Sequence, residues 1–431
     1  MTKRAEKQGG AQAPAGVAMA LRQLVLPMVA GMVGTKRALE DLVFQLGLAA
    51  VQELFAADAA NLVGPKHGRQ TRREMNHWGS RPAMFPFGGR EIVIPQPRVR
   101  RVEGGEVPLP LAESLREGDP LPARVVEQIL LGVSTRGYAQ SIGQPPPDVR
   151  SRGDSKSATS RNVVQETAAR MEEFIHRKLG ELDICVLMLD GLQVAEHAIV
   201  VALGVDVKGA KHPLGIWAGS TENKTICVEL LQDLLRRGLR IEGRILVLID
   251  GGKGLRSAVS DVLGTAALIQ RCQNHKIRNV RDHLPKSRQA YAMRMMREAY
   301  KSSSQKTARG RLKQLVSWLE SNGEDDAAAS LREGLEETLT VLGLGISRSL
   351  QRSLATTNAI ESLMGTIRRT TRNVKRWKST SMIRRWVALS ISTAQRKFRR
   401  LKGHADMAAL IATLRPPCED NNGVARYAKT G

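Results

Sequence analysis

A chain of 431 residues is longer than one core usually organises and suits two or three domains. Its 66 Lys and Arg against 42 Asp and Glu leave a formal charge of +24, an excess that solubility does not require and that a polyanionic partner explains, nucleic acid first. A membrane is not expected as a partner: no stretch reaches the ~18 uninterrupted apolar residues of a spanning helix, and the signal-like segment 16–34 is broken by Arg22, Gln23 and Pro27. Cys185, Cys227, Cys272 and Cys418 lie too far apart for a disulfide framework, so a reducing cytoplasm, in association with the nucleoid, is the expected compartment.

In chain order, residues 1–35 read as a basic, disordered N-terminal tail. From Lys36 to Phe55, Leu39, Leu42, Val43, Leu46, Val51 and Leu54 follow the spacing of an amphipathic helix. A Gly/Pro-punctuated basic stretch follows, in which "REIVIPQPRVR" reads as a short strand or extended arm, suited to phosphate contact or to a solvated loop. Two short helices, "PARVVEQILLGVS" and "TRGYAQSIG", end at "QPPPD". A longer helix then restarts from Asp154 or Ser155 and carries Val163, Val164, Ala168, Met171 and Phe174. This is the outline of a helix-turn-helix whose recognition helix would offer Lys156, Ser160 and Arg161 to DNA, although any small helical bundle shares it. Residues 36–180 are thus read as a helical DNA-binding region.

From 183 the hydrophobic period changes. "ICVLMLD", "AIVVALGVDVKG" and "HPLGIWAGS" read as three strands, followed by a helix over 223–239, a strand ending at Asp250, a helix, the strand "AALIQRC" and the helix "HKIRNVRDHL". The fold class is α/β, and this order matches a ribonuclease H-like mixed sheet over 181–285. Asp190 and Asp250 each follow an apolar run and precede glycine, so adjacent strands would bring both carboxylates to one sheet edge. Carboxylates held that close repel, and divalent cations relieve the repulsion. Two such ions suit phosphodiester chemistry. Taken singly, either aspartate reads first as a turn cap after a strand, and it is the pair, each after a buried strand in one topology, that reads as a site.

Residues 286–350 are plainly helical and read as an all-α insertion. Beyond it, "TTNAIESLMGTIRRTTRNVKRW" starts a helix near Thr357 or Asn358 and puts Glu361 in its first turn, beside the apolar face of Ile360, Leu363, Met364 and Ile367. Glu361 is either a third carboxylate facing the sheet edge or the capping-box partner of Thr357 or Asn358. Residues 351–405 would complete the core with Glu361 and basic helices, and 406–431 form a C-terminal tail. Arg368, Arg369, Arg372, Lys375 and Arg376 open an acid-poor stretch interleaved with Trp377, Trp386 and Phe398, which reads as a phosphate-tracking surface.

"LMLDGL", "LVLIDGGKGL", "QRCQNHKIRNV" and "TTNAIESL", in that order, resemble the Mutator-type transposases of bacterial insertion sequences, and the resemblance covers nearly the whole chain. It implies an RNase H-like catalytic domain with an α-helical insertion and a DDE triad of Asp190, Asp250 and Glu361 holding two Mg²⁺, or Mn²⁺. The implied activity is DNA cleavage at element ends and joining of the 3′-hydroxyls to target DNA, by a homodimer or larger assembly that binds terminal inverted repeats. The family's Cys-x-x-His motif falls on Cys272 and His275, for which three readings stand: half of a zinc site with His283, support of a phosphate or metal-binding carboxylate, or packing. "DGLQVAEHAIVV" and Met364 depart from common family patterns and leave subgroup and target preference open. A catalytically inactive DNA-binding relative and a structure-specific nuclease are the alternative functions.

Overall fold

The computed structural model describes residues 36–64, 74–116, 120–219 and 223–416. The expectations for the tail 1–35, for Cys418 and for the last fifteen residues lie outside them. The chain divides into two compact units, Met1–Glu166 and Thr167–Gly431.

The first unit is not purely helical. Strand β1 (Met75–Phe87) and strand β2 (Arg90–Arg101) form a long antiparallel hairpin, and β3 (Glu106–Val107) and β4 (Ser151–Arg152) both pair with β2. Gly88 and Gly89 close the hairpin with positive φ at both positions, the two-residue turn that matches strand twist and that a Cβ would strain. Alternate residues Arg90, Ile92, Ile94 and Gln96 are buried, the period of two that makes "REIVIPQPRVR" a strand in a sheet. The helix Lys36–Val63 lays Phe55, Ala59 and Val63 against Phe85, Ile92 and Ile94. Over Asp41–Val63 this helix is long and apolar enough to cross a bilayer, which the uninterrupted-run criterion missed.

Helices Leu121–Leu130, Tyr138–Ser141 and Lys156–His176 form where expected. The helix-turn-helix outline is not realised, because residues 142–155 and the β4 pairing of Ser151 and Arg152 with Ile92 and Glu91 replace the tight turn that motif needs.

The second unit centres on a five-stranded mixed sheet of β5 (Ile184–Val194), β6 (His197–Asp206), β7 (Lys211–Gly219), β8 (Ile245–Ile249) and β9 (Ala267–Arg271), in the order β7-β6-β5-β8-β9. β5, β6 and β7 are antiparallel, while β8 runs parallel to both β5 and β9. The parallel centre explains the uninterrupted apolar runs: all five residues of β8 are buried, with helices on each face. Helices Lys224–Arg236 and Lys253–Leu263 cover one face with Leu230, Leu231, Leu234, Leu255 and Val259. Helices Asn358–Thr371, Thr380–Gln395 and Met407–Leu414 cover the other, with Ile360, Leu363, Ile367, Val387, Ile391 and Leu410. The expected tail therefore begins later than 406, since Met407, Leu410 and Leu414 recur at helical spacing and are buried.

Helices Lys286–Tyr300, Gln305–Ser321 and Asp325–Arg332 share a separate core around Met296, Leu312, Leu315, Leu319 and Leu331, to which the helix Gln273–Asp282 adds Ile277 and Val280.

Candidate active site

β5 and β8 pair through Val186–Leu246, Leu187–Val247 and Met188–Leu248, so the same register continued two residues further sets Asp190 beside Asp250. β8 stops at Ile249, but β5 does not stop at Asp190 as the sequence reading has it. It runs on to Val194 because β6 continues to pair with it, opposite Val201 at Asp190 itself. The first carboxylate thus projects from a continuous strand at the point where its parallel neighbour ends. Alternation along both strands puts these positions on the face of Met188 and Leu248, the face on which the helix Asn358–Thr371 packs.

Each aspartate is braced by the backbone that follows it. Gly191 N donates to Asp190 Oδ1 at 2.9 Å, and Gly252 N donates to Asp250 Oδ1 at 2.9 Å. Gly251 turns the chain away with φ 109°, a conformation that a side chain would resist.

The segment after β9 supplies the link to Glu361. Cys272 N donates to Ile249 O at 2.8 Å, which fastens the end of β9 to the end of β8. Gln273 N donates to Ala355 O at 3.0 Å, and Thr357 N donates to Cys272 Sγ at 3.4 Å. His275 Nε2 lies 3.5 Å from Glu361 Oε1, and the Thr357 hydroxyl donates to the same oxygen at 3.4 Å. The ligand atoms of Cys272, His275 and Glu361 all lie within 4.8 Å of one another. His283, the third ligand considered for zinc, is exposed at the end of its helix and is not in this group. Thr357 makes no side-chain cap bond to the helix backbone, so the capping-box reading of Glu361 fails for Thr357.

The electrostatics bind these groups together. Burial and the neighbouring Asp250 carboxylate push Asp190 up to about 7, with His275 and the Gly191 hydrogen bond pulling the other way. The hydrogen bond to Cys272 raises His275 above an ordinary imidazole, aided by the Glu361 and Asp250 charges. Burial pushes the Cys272 thiol up, and hydrogen bonds from His275 and Thr357 more than offset it, so the thiol ends below its usual value. Among the described residues neither Asp190 nor Asp250 has a Lys or Arg ion-pair partner; Arg278 comes within 3.9 Å of Glu361. A 9 % exposed carboxylate that has no Lys or Arg partner among the described residues and is held next to a second carboxylate fits a divalent-metal ligand set.

Lys156, Ser160 and Arg161 are exposed on the first turns of their helix. Arg368, Arg369, Arg372, Lys375 and Arg376 are exposed at and beyond the end of the Glu361 helix. The expected aromatic interleaving is not a surface feature, because Trp386 is buried and Trp377 and Phe398 pack on the main core. Sequence reasoning missed Arg278 as a neighbour of Glu361. The helical spacing of His275 and Arg278, three apart on one helix, was the available signal.

A family profile described as "Transposase, Mutator family" matches residues 19–400. The chain belongs to the Mutator family of transposases. Among curated relatives, this Mutator-family chain is 27 % identical over 368 residues to the transposase for insertion sequence element ISRM5 of Rhizobium meliloti (strain 1021), an overlap of 80 % of this chain and 85 % of that one. It is 26 % identical over 310 residues to the transposase for IS256 in transposon Tn4001 of Staphylococcus aureus, covering 70 % and 75 % of the two chains. With the transposase for IS905 of Lactococcus lactis subsp. lactis it shares 27 % over 337 residues, 75 % and 81 %. The matched span of the Mutator profile includes Asp190, Asp250, Cys272, His275 and Glu361.

Proposed function

We propose that this chain is the DNA transposase of an insertion sequence, cutting the element's ends and joining the freed 3′-hydroxyls to target DNA. Asp190, Asp250 and Glu361 are the carboxylates of its site, and Mg²⁺, with Mn²⁺ as a substitute, is the cofactor in two copies. The observation that carries the reading is the β5–β8 register that sets Asp190 beside Asp250, with the charges of Asp250, Glu361 and His275 all acting on a raised Asp190 that has no Lys or Arg partner among the described residues. Bound there, the two ions would activate the attacking hydroxyl and stabilise the leaving oxygen.

The protein groups have separable tasks. Gly191 and Gly252 hold one oxygen of each aspartate and leave the other for a ligand. His275 and Thr357 restrict Glu361 to one orientation, the support that metal-binding carboxylates usually receive from hydrogen-bonding neighbours. Gly251 and Gly252 leave the strand end free of side chains, which lets a nucleic-acid backbone approach. The strand order β7-β6-β5-β8-β9, with helices interposed before the Glu361 helix, supports an RNase H-like core carrying an all-α insertion. Lys156, Ser160, Arg161 and the arginines from Arg368 to Arg376 are the surfaces for terminal inverted repeats and target DNA, whose phosphates match their charge. Two ends handled together call for a homodimer or larger assembly, working on DNA in the bacterial cytoplasm.

The test is cleavage and strand transfer on a supercoiled plasmid bearing the DNA that flanks the coding region, with Mg²⁺ or Mn²⁺, for wild type and Asp250→Ala. Metal-dependent 3′-ends joined to target DNA by wild type alone are expected. Binding without cutting would assign the chain to inactive DNA-binding relatives, and cutting without joining would make it a nuclease.

A further inference from the structure

A cavity of about 320 Å³ opens between the helices Gln273–Asp282 and Lys286–Tyr300, lined by Asn274, Ile277, Arg278, Arg281, Met293 and Arg297. Three guanidinium groups and one side-chain amide converge there, and no carboxylate lines it. Arg297 has no acidic partner among the described residues, and Arg281 is held by the adjacent Asp282 at 2.6 Å. Arg278 and Arg281 each have a carboxylate beside them, so the unbalanced charge of the concavity is that of Arg297, and guanidinium groups match phosphate oxygens in charge and geometry. Ile277 and Met293 add an apolar lining that keeps such a contact from full hydration.

The location narrows the anion. Asn274, Arg278 and Arg281 stand at i, i+4 and i+7, one stripe along the helix. The stripe starts beside the carboxylates, where Asn274 Nδ2 donates to Asn358 Oδ1 at 3.2 Å and Arg278 lies 3.9 Å from Glu361. It ends about 10 Å further on, by the rise of 1.5 Å per residue. That is about three nucleotides of axial rise along one DNA strand.

We infer that this cavity is a phosphodiester subsite, holding the DNA backbone next to the scissile bond between the helix that carries His275 and the first helix of the insertion. The inference rests on the proposed DNA chemistry and gives the insertion helix Lys286–Tyr300 a share in gripping the substrate strand. Arg297 would be its contribution.

The full-length chain is titrated with a 30-base-pair duplex over a salt series, as wild type, Arg297→Ala, the double variant Arg278→Ala/Arg297→Ala, and Arg294→Ala. Arg294 is the control: it is an equal charge on the same helix, but it stands over the Tyr291 ring at 5.6 Å and does not line the cavity. Arg297→Ala is expected to lower the slope of log affinity against log salt by about 0.9 and to weaken binding about fivefold at 0.15 M salt. The double variant should lose about twice the slope, with melting curves unchanged, while Arg294→Ala stays near wild type. Cavity variants that lose no more than Arg294→Ala would overturn the subsite alone, provided wild type binds and cuts DNA. A wild type that binds no duplex at any salt would remove the subsite together with the proposed function.

Discussion

Glu361 Oε1 lies 3.5 Å from His275 Nε2 although the two residues come from different helices, one directly after β9 and one after the further helices Lys286–Tyr300 to Arg348–Leu354. The Cys-x-x-His pair is therefore part of the carboxylate site: Cys272 accepts from Thr357 N, and Thr357 and His275 both reach Glu361. Replacing His275 with Ala should lower strand cleavage about 10- to 100-fold, the usual effect of removing the partner of a metal-binding carboxylate. Part of the loss should return at high Mg²⁺ or with Mn²⁺. A variant as active as wild type across the Mg²⁺ range would reduce His275 to a packing residue.

Asp190 stands at about 7 in the folded chain against 3.8 for an unperturbed carboxyl. Because its folded value is raised, the stability it contributes is fully present below about pH 4 and is lost as pH rises through 7. Without divalent metal, Asp190→Asn should therefore melt like wild type at pH 4 and several degrees higher at pH 8, a gain of up to about 4 kcal/mol for a carboxyl raised from 3.8 to about 7. The same variant should have no strand cleavage. Calorimetric scans at the two pH values decide it: equal melting temperatures at pH 8 would mean that the carboxylates do not strain one another.

Divalent metal should relieve the same strain. Adding Mg²⁺ or Mn²⁺ at pH 7 is expected to raise the melting temperature of wild type and leave Asp190→Asn/Asp250→Asn unmoved. Binding should release protons, so titration calorimetry in buffers of different ionisation enthalpy would give different apparent heats, and affinity should rise between pH 6 and 8. Heats independent of buffer would show Asp190 already ionised.

Two glycines predict opposite stability changes. Gly403 has φ +82°, and a Cβ there would lie 2.5 Å from Leu350 N, so Gly403→Ala must move backbone where the terminal segment docks on the helix Arg348–Leu354. A loss of about 2–4 kcal/mol is expected. Gly310, exposed within the helix Gln305–Ser321, has nothing within 4 Å of an added Cβ, and Gly310→Ala should gain about 0.5–1 kcal/mol. Urea unfolding of both variants checks the pair, and a stabilised Gly403→Ala would refute the docking.

Much of the second unit was legible in the amino-acid sequence because it is encoded locally. A strand buried on both faces must be apolar throughout, so "ILVLI" and "ICVLML" mark the sheet centre, and a lone aspartate after each run marks the place where the fully apolar run ends. The helix of Glu361 is equally local, written in the spacing of Ile360, Leu363, Met364 and Ile367.

Tertiary structure alone decided the rest, because the deciding contacts join distant parts of the chain. Strand β5 outlasts Asp190 because β6 keeps pairing with it, and nothing near Asp190 in sequence encodes that partner. The hairpin of β1 and β2 depends on cross-strand pairing, and its basic residues masked its period of two. Trp386, read as a surface aromatic, is buried because helix Thr380–Gln395 packs on the sheet. Cys272 and His275 carried three readings until Thr357 and Glu361 came to lie against them, since hydrogen bonds depend on distance in space and the sequence records only distance along the chain.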